Sequence, residues 1–190
     1  VYGLAFALAP TQTYESYGNS YSYEASFGLA SILVLIVGYI ILMVVAAAIQ
    51  SAYLGGLLDI ANGQPVTIGS FFKPRNVGSV IIATLIIGIA AGIGSFCFIV
   101  GLVIAVFTLF TTVIIVDRNV SPIDGIKQSV EITKNNIGPV ILTWLVAGVI
   151  AVVGALLCGI GLIVAIPVSA LFLVYAYRKL TNGQLAPLTP

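Results

Sequence analysis

The sequence predicts an all-α fold: a polytopic transmembrane helix bundle of about six helices, arranged as three hairpin repeats, with short interfacial helices in its cytoplasmic loops. Three observations carry this. Of 190 residues, 60% are hydrophobic and 7% are charged, whereas a soluble globular domain carries about 25% charged residues. Long apolar runs alternate with short polar segments that hold nearly all the charge. The chain also matches itself when slid by 60 positions, which is the mark of a repeated unit.

Taken in order, residues 1–9 are apolar and end at Pro10. They are too few to cross a hydrocarbon layer of roughly 30 Å, which takes about 20 residues. No basic stretch precedes them, so a signal peptide is the weaker reading. They read as the end of a helix whose beginning lies outside this sequence. Residues 11–26, TQTYESYGNSYSYEAS, are polar and rich in Tyr and Ser. An apolar run follows over about 27–52, then a polar segment over roughly 59–76. From 77 to 116 there is no charge at all. One helix of that length would measure about 60 Å, so the run must break. Gly92, Gly94 and Ser95 mark the place, giving spans 77–95 and 97–116. Residues 117–136 are polar. The run from 137 to 177 repeats the pattern, with its break near Gly154, Ala155 and Cys158.

The slide by 60 lays 76–118 on 136–178 without a gap, with 12 identities in 43 positions. Asn76 meets Asn136, Gly78 meets Gly138, Gly88 meets Gly148, Gly94 meets Gly154, Gly101 meets Gly161, and Arg118 meets Arg178. A slide by 120 places Asn62-Gly63-Gln64 on Asn182-Gly183-Gln184. The expected organisation is a single transmembrane domain, 1–190, of repeat units at about 1–60, 61–120 and 121–180. All seven basic residues (Lys73, Arg75, Arg118, Lys127, Lys134, Arg178 and Lys179) fall in segments that this topology puts on one face. The opposite face has Glu15 and Glu24 and no Lys or Arg. By the bias of basic residues toward the cytoplasm, the basic loops and the C-terminus are expected inside, in a bacterial plasma membrane crossed several times.

The absences narrow the chemistry. There is no His, the usual general base, proton shuttle and metal ligand. No Asp, Glu, Lys or Arg falls mid-span, where ion-coupled carriers usually need one. The small-residue spacing lies within apolar spans with no following Lys, so it is not a phosphate loop. No acidic pair stands as an acid–base set. We therefore expect no catalytic residue, no cofactor and no metal, and no nucleic-acid partner.

Several features could still carry function. Segment SPIDGIKQSVEITKNN (121–136) predicts a short amphipathic helix: Ser121 is a good N-cap, Pro122 suits the first position and Asp124 lies three after the cap. Ile123, Ile126, Val130 and Ile137 form its apolar stripe, with Lys127, Glu131 and Lys134 mostly elsewhere. Its roles are a connector in the headgroup layer or, with Lys127 and Lys134, a contact for anionic lipid or a partner. Phe71 and Phe72 beside Lys73 and Arg75 read as an interfacial anchor with the same two uses. Small residues spaced by four (Gly88 and Gly92; Ala147, Ala151 and Ala155; Gly161, Ala165 and Ser169) let helices approach closely. They are expected to pack helices of this chain, with docking to another membrane subunit as the alternative. Pro167 frees a carbonyl inside the last span; an architectural kink is favoured over a broken substrate-binding helix. Cys97 and Cys158 sit at equivalent outward turns and are candidates for a disulfide; the other reading is two small buried hydrophobes. The Tyr-rich segment is either a partner or glycan contact, or an interfacial aromatic loop.

The runs ANGQPVTIGSFFKPRNVGSVIIATL, VDRNVSPIDGIKQSVEITKNNIGPVI and RKLTNGQLAPLTP resemble actinobacterial, mycobacterial-type integral membrane proteins often called proline- and glycine-rich. Those are similar in turn to the six-helix membrane domain of some glycerophosphodiester phosphodiesterases. The resemblance covers about 60–190 well. It implies six helices, often behind a low-complexity N-terminal tail, and it supplies no activity. The phosphodiesterase catalytic barrel, with its His and Glu ligands, has no counterpart in this sequence. The leading functional expectation is a non-enzymatic accessory or scaffold subunit of a larger envelope complex, such as a transport or respiratory one, whose partners are membrane lipids and other integral membrane subunits. The alternative is a small transporter or lipid-handling protein.

Overall fold

The computed structural model describes the backbone of residues 12–16, 19–23, 29–94, 98–156 and 161–183, and the side chains of 30–94, 99–156 and 161–183. Residues 1–9, Cys97 and Cys158 lie outside the described residues, and with them the partial first helix and the disulfide. The protein is a helical, multi-pass membrane bundle: five helices among the described residues, with Ile99–Arg118 counted as one, are long and apolar enough to cross a membrane. The chain divides into two compact units, Val1–Ala46 and Ala47–Pro190.

In the first unit, the Tyr-rich segment holds a two-stranded antiparallel ribbon, β1 (Gln12–Ser16) and β2 (Asn19–Tyr23). Its register sets Tyr14 opposite Tyr21 and Gln12 opposite Tyr23. Alternating Tyr and Ser suits an extended backbone, a pattern that hydropathy alone reads as a loop. Helix α1 (Leu29–Ala61) begins in this unit and ends in the second.

α1 runs about nine residues past the apolar run that announced it. Gly55, Gly56 and Asp59 are loop-forming types, but here they are buried helix positions. A one-turn 3-10 helix at Ile68–Phe72 follows. Then come α2 (Val77–Gly94), α3 (Phe98–Phe107), α4 (Thr111–Arg118), α5 (Pro122–Asn135), α6 (Ile137–Leu156) and α7 (Leu162–Leu180). α2 ends at Gly94 and α6 at Leu156, close to where small residues cluster in the sequence. Pro167 is the sixth residue of α7, and the helix continues through it.

Positions sixty apart occupy matching environments. Val80 and Val140 are both fully buried, as are Ile114 and Val174. A Cβ on Gly94 would lie 2.9 Å from the Ile104 side chain and 3.3 Å from the Gly101 amide. One on Gly154 would lie 2.5 Å from the Ala165 Cβ and 3.2 Å from the Gly161 carbonyl. Each hairpin therefore closes at its turn by backbone contact that only a missing side chain permits.

One expected span is interrupted. Residues 97–116 read as a single helix, yet the chain leaves α-geometry between α3 and α4, at 108–110. The cause is Ser129 of α5. Its hydroxyl donates to the Phe107 carbonyl (2.8 Å) and accepts from the Phe110 amide (3.2 Å). A side chain inserted into the ladder is a recognised cause of a helix break. Thr108 Oγ1 adds a bond to the Ile104 carbonyl (2.7 Å).

α5 packs on the chain with a face other than its apolar stripe. The cap is as anticipated: Ser121 Oγ accepts from the Asp124 amide (3.2 Å), and Pro122 stands in the first turn. The buried residues, however, are Gly125, Ser129 and Thr133, while Ile123 and Ile137 are exposed. The reason is size. Residues four apart share a helix face, and these three are small enough for α5 to cross directly against α4. A Cβ on Gly125 would stand 2.5 Å from the Ile115 side chain. Exchanging Gly125 for Ala is expected to cost about 1–3 kcal/mol by overpacking, with no such cost for Ala at Gly138, which has open space around it. Thermal unfolding in detergent micelles compares the two; equal midpoints would dismiss the contact.

Candidate functional site

The second unit has its core at the end where α1 and α7 finish and α2 begins. Leu54, Leu57, Leu58 and Ala61 of α1 meet Val80, Phe110, Val113, Ile114, Ile115, Val140, Val174 and Tyr177 there. Hydrogen bonds close this end. Ser51 Oγ bonds both the carbonyl and the amide of Arg75, the amide at 2.8 Å. The Arg75 guanidinium forks onto Asp59 through two bonds, 3.0 and 2.6 Å long. Asn76 Nδ2 donates to the Val120 carbonyl (2.9 Å), tying the start of α2 to the loop after α4.

The centre of this end is Tyr177. Its hydroxyl donates to Asp117 Oδ2 (2.9 Å) and accepts from Arg118 Nε (3.0 Å). Arg178 donates from one nitrogen to Asp117 Oδ1 (2.7 Å) and to Asn62 Oδ1 (2.8 Å). Arg118 also reaches Gln128 Oε1 (2.8 Å). Both guanidinium carbons lie about a ring-width from the fully buried Tyr177 ring, at 6.0 and 5.8 Å from its centroid, within cation–π range. The ring leans on Phe110 at 6.1 Å. One constellation thus joins the ends of α1, α4 and α7 to α5. Bidentate and charge-assisted bonds of this kind fix geometry as well as adding energy.

The residues singled out from sequence are distributed unevenly. Phe71 turns inward: its ring is 6.1 Å from Tyr53 and packs on Gly56, where a Cβ would lie 2.5 Å away. Arg75 is committed to Asp59. Phe72, Lys73, Lys127 and Lys134 are exposed. The small-residue faces divide. Gly154, Gly161 and Ala165 pack within the chain, as expected, but a side chain on Gly88 or Gly148 would meet nothing within 4 Å. Sequence reasoning did not single out Tyr177 and gave Asp117 and Asn62 no part in such a constellation. The signal was available in the same slide that pairs Arg118 with Arg178, since it also sets Asp117 on Tyr177.

Three carboxylates here are bonded within the chain. Asp59 and Asp117 hold arginines, and Asp124 Oδ2 accepts from the Ser121 hydroxyl (2.7 Å). Among the described residues, no three metal-ligating side chains gather.

Comparison with known proteins gives relatives without an assigned activity. The chain is 41% identical over 189 residues to Uncharacterized protein Rv2560 of Mycobacterium tuberculosis, a match covering 96% of this chain and 58% of that protein. It is equally similar, with the same coverage, to Uncharacterized protein Mb2590 of Mycobacterium bovis. The chain thus spans under two thirds of the length of the curated relatives it matches. No protein-family profile matches it, and neither does any solved structure. The mycobacterial likeness agrees with the resemblance read from sequence; a tie to the phosphodiesterase membrane domain does not emerge from these comparisons.

Proposed function

We propose that the protein is a non-enzymatic accessory or scaffold subunit, held in the plasma membrane with its basic end in the cytoplasm and associated with another integral membrane protein. One observation carries this reading. Residues 84–93 of α2 and 144–153 of α6 contain no buried residue. Gly88 and Gly148 stand on these stretches with open space around them. Helices in lipid associate through small residues that admit a neighbouring backbone, and among the described residues nothing packs on Gly88 or Gly148. The clamped basic end meanwhile holds its carboxylates in structural pairs, which supports a scaffold over an enzyme. The gathering of basic side chains at one end supports the orientation. The resemblance to proline- and glycine-rich mycobacterial-type membrane proteins is consistent with this role.

A photocrosslinking residue at position 88 or 148, irradiated in native membranes, is expected to give a defined adduct with another membrane protein. The same residue at exposed Ile123 serves as the control. Recovery of only uncrosslinked monomer from both positions would overturn the proposal.

A further inference from the structure

A groove of about 620 Å³ lies between the start of α6 and the end of α7. That is within the roughly 300–1,000 Å³ typical of small-molecule sites. Its lining is graded along the helix axes. Leu142, Phe172 and Tyr175 line the part further into the two helices. Asn136, Lys179 and Asn182 stand where α6 begins and α7 has ended. At 1.5 Å per residue, the apolar part lies about 9–12 Å from the polar mouth. Leu142 is 61% exposed and Tyr175 39%, so the groove opens sideways, toward the hydrocarbon of a surrounding membrane.

The charges at the mouth are not equivalent. Arg75 and Arg178 are held in salt bridges, and Arg118 is bound to Tyr177 and Gln128. Lys179 and Asn182 have no polar partner among the described residues. Beyond Asn136 and Leu180 lies a polar recess of about 280 Å³ that contains Arg118 and Glu131; among the described residues that line the groove or the recess, Glu131 is the one carboxylate. An apolar slot open to lipid, ending in an uncommitted ammonium and an amide, matches a molecule with an acyl chain and an anionic head.

We infer that the α6–α7 groove binds one anionic phospholipid. An acyl chain lies along Leu142 and Phe172, and a phosphate oxygen accepts hydrogen bonds from Lys179 Nζ and Asn182 Nδ2. A water-soluble phosphate compound would satisfy Lys179 but leave the apolar slot empty. A zwitterionic lipid would fill the slot and bring its own cation to Lys179.

The test is lipid titration of the full chain in detergent, with bound lipid counted by native mass spectrometry. Phosphatidylglycerol is expected to bind at one molecule per chain, about fivefold or more tighter than phosphatidylcholine, in keeping with the effect of one lysine near an anionic head. Lys179→Gln should bring phosphatidylglycerol down to the phosphatidylcholine level. Leu142→Trp, at an exposed position, should weaken both lipids by filling the slot. Lys127→Gln, exposed on α5 and outside the groove lining, should weaken phosphatidylglycerol less than Lys179→Gln does. Equal binding of the two lipids would overturn the inference, as would an unaffected Lys179→Gln protein. An equal loss on Lys127→Gln would show only diffuse surface charge, and displacement by inorganic phosphate would show a free-anion site; either result overturns it too. Unchanged helicity and unfolding midpoint confirm that Lys179→Gln folds, so it decides the matter even if Leu142→Trp does not.

Discussion

Replacing Asp117 with Ala is expected to lower stability by about 3–5 kcal/mol, the range for removing one partner of a buried ion pair. The size follows from what Asp117 holds. One carboxylate oxygen takes Arg178 at 2.7 Å and the other takes the Tyr177 hydroxyl at 2.9 Å. The Asp117 and Arg178 side chains are 13% and 14% exposed, so water cannot replace the lost charge. Arg178 already has its Nε buried without a partner and would keep only Asn62. The fully buried Tyr177 hydroxyl would lose its acceptor in the same step. Asp59→Ala offers the contrast. That pair is bidentate, but its arginine is 44% exposed and can rehydrate, so the cost should fall to about 1 kcal/mol. Denaturation by graded sodium dodecyl sulfate, followed by helix signal, measures both. Equal losses would show that Asp117 is an ordinary surface charge. Adding Arg178→Met to Asp117→Ala should recover more than half of the loss, because an apolar side chain carries no stranded charge.

What the sequence disclosed, and what it hid, divides by the range of the interactions involved. Span positions follow from hydropathy, which is a sum over neighbours, so α2, α6 and α7 fall close to where the apolar runs put them. The Ser121 cap is equally local: acceptor and amide are three residues apart. The failures all need a partner from elsewhere in the chain. Gly55 and Gly56 fall between the apolar run and the polar segment, and their place in a buried helix shows only once Arg75 and Phe71 are seen packed on them. α5 presents an apolar stripe that resembles a burial face, but in a membrane the apolar side is the one lipid accepts. The protein-facing side is then chosen by size, which is why Gly125, Ser129 and Thr133 are inside. Asp117 and Tyr177 are unremarkable until the ends of two hairpins meet. The groove beside Lys179 was equally invisible, since it exists only in the space between α6 and α7.

Ser129→Ala is expected to be the second costly change, by about 2–4 kcal/mol, because it strands two backbone groups at once and each buried orphan costs about 1–3 kcal/mol. The Ser129 hydroxyl is the acceptor for the Phe110 amide and the donor to the Phe107 carbonyl. Phe110 and Ser129 are both fully buried, so solvent cannot substitute. The chain could instead close the α3–α4 break into regular helix. That escape would rotate everything after residue 110 and pull Asp117 away from Arg178, which exchanges one loss for another. Thr133 makes the comparison decisive. It lies one turn further along the same buried face of α5 and is equally inaccessible, but its hydroxyl has no partner. Thr133→Val removes a desolvated polar group and keeps the shape, so it should be neutral or slightly stabilising. Unfolding midpoints in micelles should therefore move in opposite directions, or one should move and the other stay. If both substitutions cost the same, burial alone governs this face. Ser129 would then not be what breaks the helix.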